Sequence, residues 1–219
     1  MTQEMKQRSA LQSLWPDQRQ RVDRTLKLWE SAVLLPLRWT KHGWEILFEV
    51  RSAKMHWQPG DICFPGGHRE ETDATLLATA LRETREELGI PEQDIQVLGP
   101  LDYFYGYSGP LVYPFAGILS NKVPLVVDQN EVAEVFGVPL KDLLAMAPVV
   151  GKVDMGTRQQ LGFPRQWAYG FQEGWNVRKA YEVFFYPWKE RIIWGITARV
   201  LHQFLERVRT LKEFPGKAE

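Results

Sequence analysis

Three carboxylates, Glu83, Glu86 and Glu87, stand at i, i+3 and i+4 in the run Arg82-Glu83-Thr84-Arg85-Glu86-Glu87-Leu88-Gly89-Ile90, downstream of Phe64-Pro65-Gly66-Gly67. On a helix that turns by about 100° per residue they share an arc roughly 100° wide. Like charges at that spacing repel, each pair costing about 0.2–0.5 kcal/mol on an exposed helix. A hard divalent cation reverses the sign, because Mg2+ seeks oxygen ligands. Gly66 and Gly67 suit the same chemistry, since a backbone without Cβ can approach a phosphate or an ion closely and adopt positive φ. The run also fits a plainer use, a solvated helix face on which Arg82 pairs with Glu86 and Arg85 with nearby acids.

Holding these acids requires a helix, and Asp73 to Leu88 reads as one. Asp73 is a suitable N-cap, Leu77, Leu81, Thr84 and Leu88 recur at 4-3-4 spacing as the inward stripe, and Gly89 closes the end. Upstream, Ser31 to Trp39 and Trp44 to Arg51 read as strands joined through the hairpin Thr40-Lys41-His42-Gly43. Asp61 to Phe64 is a short strand that delivers the chain to a Pro-Gly-Gly turn, with Cys63 on it as a buried small hydrophobe. Downstream, Ile95 to Tyr103 and Leu111 to Leu119 are strands around a turn at Tyr107-Ser108-Gly109, and Glu131 to Phe136 is another. Pro139 opens a short helix, Leu140 to Met146. Tyr181 to Tyr186 is the last strand, and Pro187 to Glu190 turn into a C-terminal helix with Trp194, Ala198, Leu201, Leu205 and Val208 on one stripe. At the other end, Pro16 and Asp17 start a helix with Val22, Leu26 and Trp29 inward. The resulting division is a helical extension over 1–30 packed on a domain of 31–219. Pattern alone gives mixed α and β.

At 219 residues, with 44% hydrophobic and 25% charged residues, the chain suits a globular domain with a sizeable core. Lys+Arg and Asp+Glu balance at 27 each, against the basic excess of nucleic-acid-binding surfaces. No apolar run is long enough to span a membrane, and the start lacks the apolar core of a secretory signal. The single cysteine excludes an internal disulfide and a multi-cysteine zinc site. The expectation is a cytoplasmic enzyme with neither nucleic acid nor membrane as partner.

The glycines and the acidic helix together resemble the Nudix box, G-x5-E-x7-R-E-U-x-E-E-x-G-U with U a bulky aliphatic residue. Gly67, Arg82, Glu83, Glu86, Glu87, Gly89 and Ile90 match by kind. Anchored on Arg82, the box would place glycine at His68 and glutamate at Ala74, and Thr84 replaces the aliphatic residue. Those departures are similar to the coenzyme A pyrophosphatase subgroup, as is the upstream order Arg51-Ser52, Gly60, Phe64-Pro65-Gly66-Gly67. His56 stands where that subgroup's signature has arginine. The resemblance implies an α/β/α sandwich around a mixed β-sheet. It implies Mg2+- or Mn2+-dependent hydrolysis of a diphosphate bond, with Glu83, Glu86 and Glu87 as metal ligands and the Gly67 carbonyl as a fourth. Arg82 would orient the acids. The general base is Glu83, Glu131 or Glu134. The implied substrate is a small nucleotide, coenzyme A first, giving 3′,5′-ADP and 4′-phosphopantetheine. Another substrate such as an ADP-sugar, or a non-catalytic ligand-binding or regulatory module, stays open, although a module of that kind would be expected to lose box carboxylates. Arg51, with Gly66 and Gly67, is a candidate for substrate phosphate, the alternative being that Arg51 pairs with a surface acid. Gly151 to Arg178, rich in aromatics (Phe163, Trp167, Tyr169, Phe171, Trp175), reads as a packed connection or a homodimer surface, with a substrate lid as the alternative.

Overall fold

A computed structural model of the chain describes residues 29–106, 109–168, 170 and 173–212. The helix expected from Pro16 lies outside the described residues, as do Tyr107, Ser108, Tyr169 and Phe171.

Alternating side chains fix the layers. Strand β1 (Glu30–Thr40) sends Ala32 and Leu34 to one core and Leu35 and Leu37 to another, so it is covered on both faces. It pairs in parallel with β7 (Leu111–Leu119) and, through the tight hairpin expected at Thr40–Gly43, antiparallel with β2 (Gly43–Arg51). The two hairpin strands stay together only from Leu37↔Ile46 to Thr40↔Gly43 and then part. Into the fork run β3 (Ile62–Cys63), which pairs with β2 through Glu49↔Cys63, and β4 (Gly66–His68), which pairs with β1 through Val33↔Gly66 and Ala32↔Gly67. Leu34 N–H donates to the Pro65 carbonyl at 2.9 Å and continues the seam. The Pro-Gly-Gly segment expected as a turn is therefore partly strand. Glycine is needed there, because a Cβ at Gly66 would collide with the Ala32 carbonyl and with Val33.

Strands β5 (Ile95–Pro100), β6 (Phe104–Tyr105) and β8 (Val132–Pro139) complete an eight-stranded mixed sheet. The strand expected over Ile95–Tyr103 is broken after Pro100, and the one expected from Glu131 starts one residue later. Helix α1 (Leu76–Leu88) covers the Ala32, Leu34 and Leu47 face. On the opposite face lie α2 (Leu140–Ala145) and α3 (Gly195–Arg209), the latter burying Ala198, Leu201, Leu205 and Val208 as its spacing predicts. The fold is an α/β sandwich with a mixed sheet.

Further expectations are corrected. The helix starts from Thr75, whose Oγ1 accepts from Ala78 N–H at 3.1 Å, because the Asp73 carboxylate is engaged elsewhere. Its buried stripe is Thr79, Ala80, Thr84, Glu87 and Leu88, with Leu76 and Leu81 flanking and Leu77 half-buried. Small side chains let the helix lie close to the sheet, which a count of leucines does not show. Finally, the described residues of 151–178 are mostly exposed rather than a packed connection. Val149–Arg158 (β9) and Trp175–Trp188 (β10) form a hairpin that leaves Trp167 and Trp175 exposed. A further strand, β11 (Arg191–Trp194), follows the Lys189-Glu190 turn, so Trp194 belongs to it rather than to the helix.

Gly66→Ala should lower the unfolding free energy by about 1–3 kcal/mol through overpacking, read as a shift of the urea midpoint at unchanged m-value.

Candidate active site

Arg82 organises this part of the molecule. Its Nε and Nη2 donate to the two oxygens of Asp73, each at 3.0 Å, and Nη2 also reaches the His68 carbonyl at 3.1 Å. Nη1 donates to Glu83 Oε1 at 2.9 Å and to Glu86 Oε2 at 3.0 Å. Asp73 also accepts from Glu70 N–H and Thr79 Oγ1, each at 2.9 Å. These bonds, led by the one from Arg82, hold its carboxyl well below the usual carboxylate range. A bidentate guanidinium–carboxylate pair, shielded from water, thus ties the loop 68–73 to the second turn of α1. The sequence pattern offered Asp73 only as a cap.

The three box glutamates do not share one environment. Glu87 is 3% exposed, and its Oε2 accepts from Gly66 N–H at 2.9 Å. Burial, opposed by that bond and reinforced by Glu83 and Glu131, pushes its carboxyl up to about 8. Glu83 lies against Gly67 so closely that a Cβ there would strike its carboxylate. Burial raises it too, against the pull of Arg82. Glu86 is half-exposed and spans Arg82 and Arg85. It keeps the salt-bridged role that the residue pattern also allowed.

Around Glu83, Glu87, Gly66 and Gly67 opens a cavity of about 760 Å3. Arg51, Lys54, His56 and Glu131 line it, together with the apolar Trp29, Trp194 and Ile196. Trp29, expected to face inward from a helix, precedes β1 instead and sets its ring edge-on to His68. Cys63, expected in the core, is half-buried and lines the cavity, where burial and then Glu49 push its thiol up. Arg51 donates from Nε to the Trp57 carbonyl at 3.1 Å rather than to a surface acid. Glu134 is not brought to the cavity; Arg191 holds both its oxygens, at 2.8 and 2.9 Å, while stacking on Phe136.

The loop that carries Glu131 is tied to α1 by backbone. Val126 N–H donates to the Leu88 carbonyl at 2.9 Å, Asp128 N–H to that of Glu87 at 3.1 Å, and Ser52 N–H to that of Glu131 at 2.8 Å. One acid at the site had no signal in the sequence beyond breaking an apolar row. Glu49 on β2 is 1% exposed, and burial first, then Glu87, raises its carboxyl well above the ordinary range.

The resemblance implies a divalent ion, and two observations fit one. Glu49 Oε1 is buried with no hydrogen-bond partner, and Gly67 leaves its backbone pressed against the Glu83 carboxylate. Among the described residues no three His, Cys, Asp or Glu side chains are already grouped as a cation cage. Mg2+ does not require one, because it keeps several waters and uses few carboxylates.

A family model described as NUDIX domain matches residues 29–154. The chain is 33% identical over 179 residues to an uncharacterized Nudix hydrolase, NudL, of Photorhabdus laumondii, covering 82% of this chain and 84% of that one. It is 30% identical over 174 residues to NudL of Pectobacterium atrosepticum, covering 80% of each. Among solved structures, a C. elegans Ap4A hydrolase binary complex aligns with a TM-score of 0.46 at 20% identity, over 52% of this chain and 83% of that one. The NUDIX domain of Shewanella oneidensis NrtR complexed with ADP ribose aligns with a TM-score of 0.45 at 19% identity, over 67% and 89%. Among the described residues no helix is long and apolar enough to cross a membrane.

The raised carboxyl of Glu87 gives the metal-free protein a pH dependence. Its folded value, about 8, exceeds its ordinary value of 4.5, so its contribution to stability is full below about pH 4.5 and is lost as pH rises through about 8. In EDTA, Tm should fall between pH 5 and 8.5, and Glu87→Gln should flatten that slope. A slope unchanged in the variant would remove Glu87 as its source.

Proposed function

Since the chain belongs to the Nudix family, whose hydrolases cleave the diphosphate bond of nucleoside diphosphate derivatives, we propose that its substrate is coenzyme A, split into 3′,5′-ADP and 4′-phosphopantetheine. The observation that carries this reading is one cavity with two chemistries. Glu83, Glu87 and the glycine backbone line it together with Arg51, whose Nε is turned to the Trp57 carbonyl. Its planar, permanently charged guanidinium, which also bears on Asp61, Glu49 and Glu87, is the group this reading offers to a phosphate.

A bound Mg2+ or Mn2+ supplies charge neutralisation at the diphosphate and lowers the pKa of water. Glu83, Glu87 and the Gly67 carbonyl would hold that ion. Gly66 N–H fixes the orientation of Glu87, and Arg82 that of Glu83. Water attacks one phosphorus, the bridging P–O bond breaks, and the water's proton goes to a carboxylate. Glu131 takes that proton in preference to Glu134, because it lines the cavity whereas Glu134 is held by Arg191. Glu83 is the alternative base. Glu86 serves Arg82 first, and as a metal ligand it must leave two guanidinium groups. A cytoplasmic setting, suited to a single unpaired cysteine, and a homodimer through the exposed aromatics of the β9–β10 hairpin belong to the same reading.

Glu87→Gln keeps the size of the side chain and removes a ligand charge, so turnover should drop by orders of magnitude while circular dichroism stays native. Near-native turnover at saturating Mg2+ would cancel the ligand assignment.

The substrate is tested by comparing kcat/KM for coenzyme A and 3′-dephospho-coenzyme A in wild type and Arg51→Ala. A charge-assisted hydrogen bond is worth about 1.5–3 kcal/mol, so the wild type should prefer coenzyme A by roughly 10- to 100-fold and the variant should lose that preference. Equal rates in wild type remove the 3′-phosphate argument. A faster ADP-sugar moves the enzyme to that substrate class, and inactivity on all of them with intact ligand binding favours a binding module.

A further inference from the structure

Along β2, Leu47 packs beneath α1, and two residues on the same face of the strand is again turned toward the helix. That position holds Glu49. Its cross-strand neighbours are Cys63 on β3 and Val135 on β8, and Glu87 bears on it from α1. Arg51 and Glu131 are the other charged groups acting on it. Its Oε2 has only the Cys63 thiol, a weak donor, at 3.9 Å, and its Oε1 has no partner. An apolar or amide side chain would pack here without the cost of burying an unmatched acid beside a second buried acid. The nearby guanidinium of Arg51 is turned to the Trp57 carbonyl. A divalent cation satisfies both oxygens and cancels the repulsion.

We propose that Glu49 is a metal-ligating residue, sharing a divalent cation with Glu87 between β2 and α1. This position lies on the sheet side of Glu87. Mg2+ or Mn2+ bound there completes its shell with water, so two carboxylates suffice. The inference rests on the reading of Glu87 as a metal ligand, and the test separates the two.

Mn2+ binding to the metal-free full chain is measured without substrate, from the free-ion electron paramagnetic resonance signal and from the Mn2+-induced rise in Tm. Wild type, Glu49→Gln and Glu87→Gln are compared. Glu49→Gln should weaken Mn2+ binding at least tenfold and shrink the metal-induced Tm rise, while its Tm in EDTA equals or exceeds that of wild type. If Glu49→Gln does not fold, Glu49→Thr is read by the same criterion. Binding less than tenfold weaker than wild type overturns the role of Glu49 while leaving Glu87 in place. Binding that survives Glu87→Gln unchanged, or a wild type that takes up no Mn2+, overturns the metal reading of the site itself.

Discussion

The pairing of Arg82 with Asp73 is the constraint on which the rest of the site depends. Both side chains are largely withdrawn from solvent, at 14% and 5% exposed, so an unpaired charge left by either would be costly. The pair leaves Arg82 with donors for Glu83, Glu86 and the His68 carbonyl. One guanidinium therefore sets the distance between the glycine strand and the helix that faces it. It also keeps two of three repelling carboxylates in place before any cation arrives.

The sheet supplies the other half of that placement. A hairpin of constant width would leave no room for β3 and β4. Because β1 and β2 part after Ile46, the segment 62–68 enters between them, and Glu49, Gly66 and Gly67 come beside the acids of α1. The close approach of Gly66 to β1 and of Gly67 to Glu83 leaves no space for side chains at either position. Packing and chemistry thus ask for the same two glycines.

How much of this was legible depended on whether the information is local. The hairpin at Thr40–Gly43, strand Leu111–Leu119, the buried stripe of the last helix and the Gly89 terminus, at φ 70°, all follow from neighbours in sequence. The arc of glutamates was visible too, but not its division into buried Glu87, guarded Glu83 and exposed Glu86, which depends on where the sheet lies. Asp73 looked like a cap because a short acid before a helix has that use. Its partner nine residues on, and the competing hydroxyl of Thr75, decided otherwise. Glu49 was hidden because an acid in a strand reads as a solvent-facing residue, and only the fork between β1 and β2 makes it an interior one. Glu131 and Glu134 were equivalent on paper and differ through Arg191, a residue 57 positions away from Glu134.

The backbone bonds from Val126 and Asp128 to the last carbonyls of α1 have a mechanical meaning. They make the end of the helix and the start of β8 a single lever, with Glu87 on one arm and Glu131 on the other. The spacing between the two acids is therefore set through backbone bonds rather than through side chains. A chain lengthened between residues 121 and 125 would leave this spacing alone. One lengthened between Asp128 and Glu131 would reset it, however conservative the inserted residue.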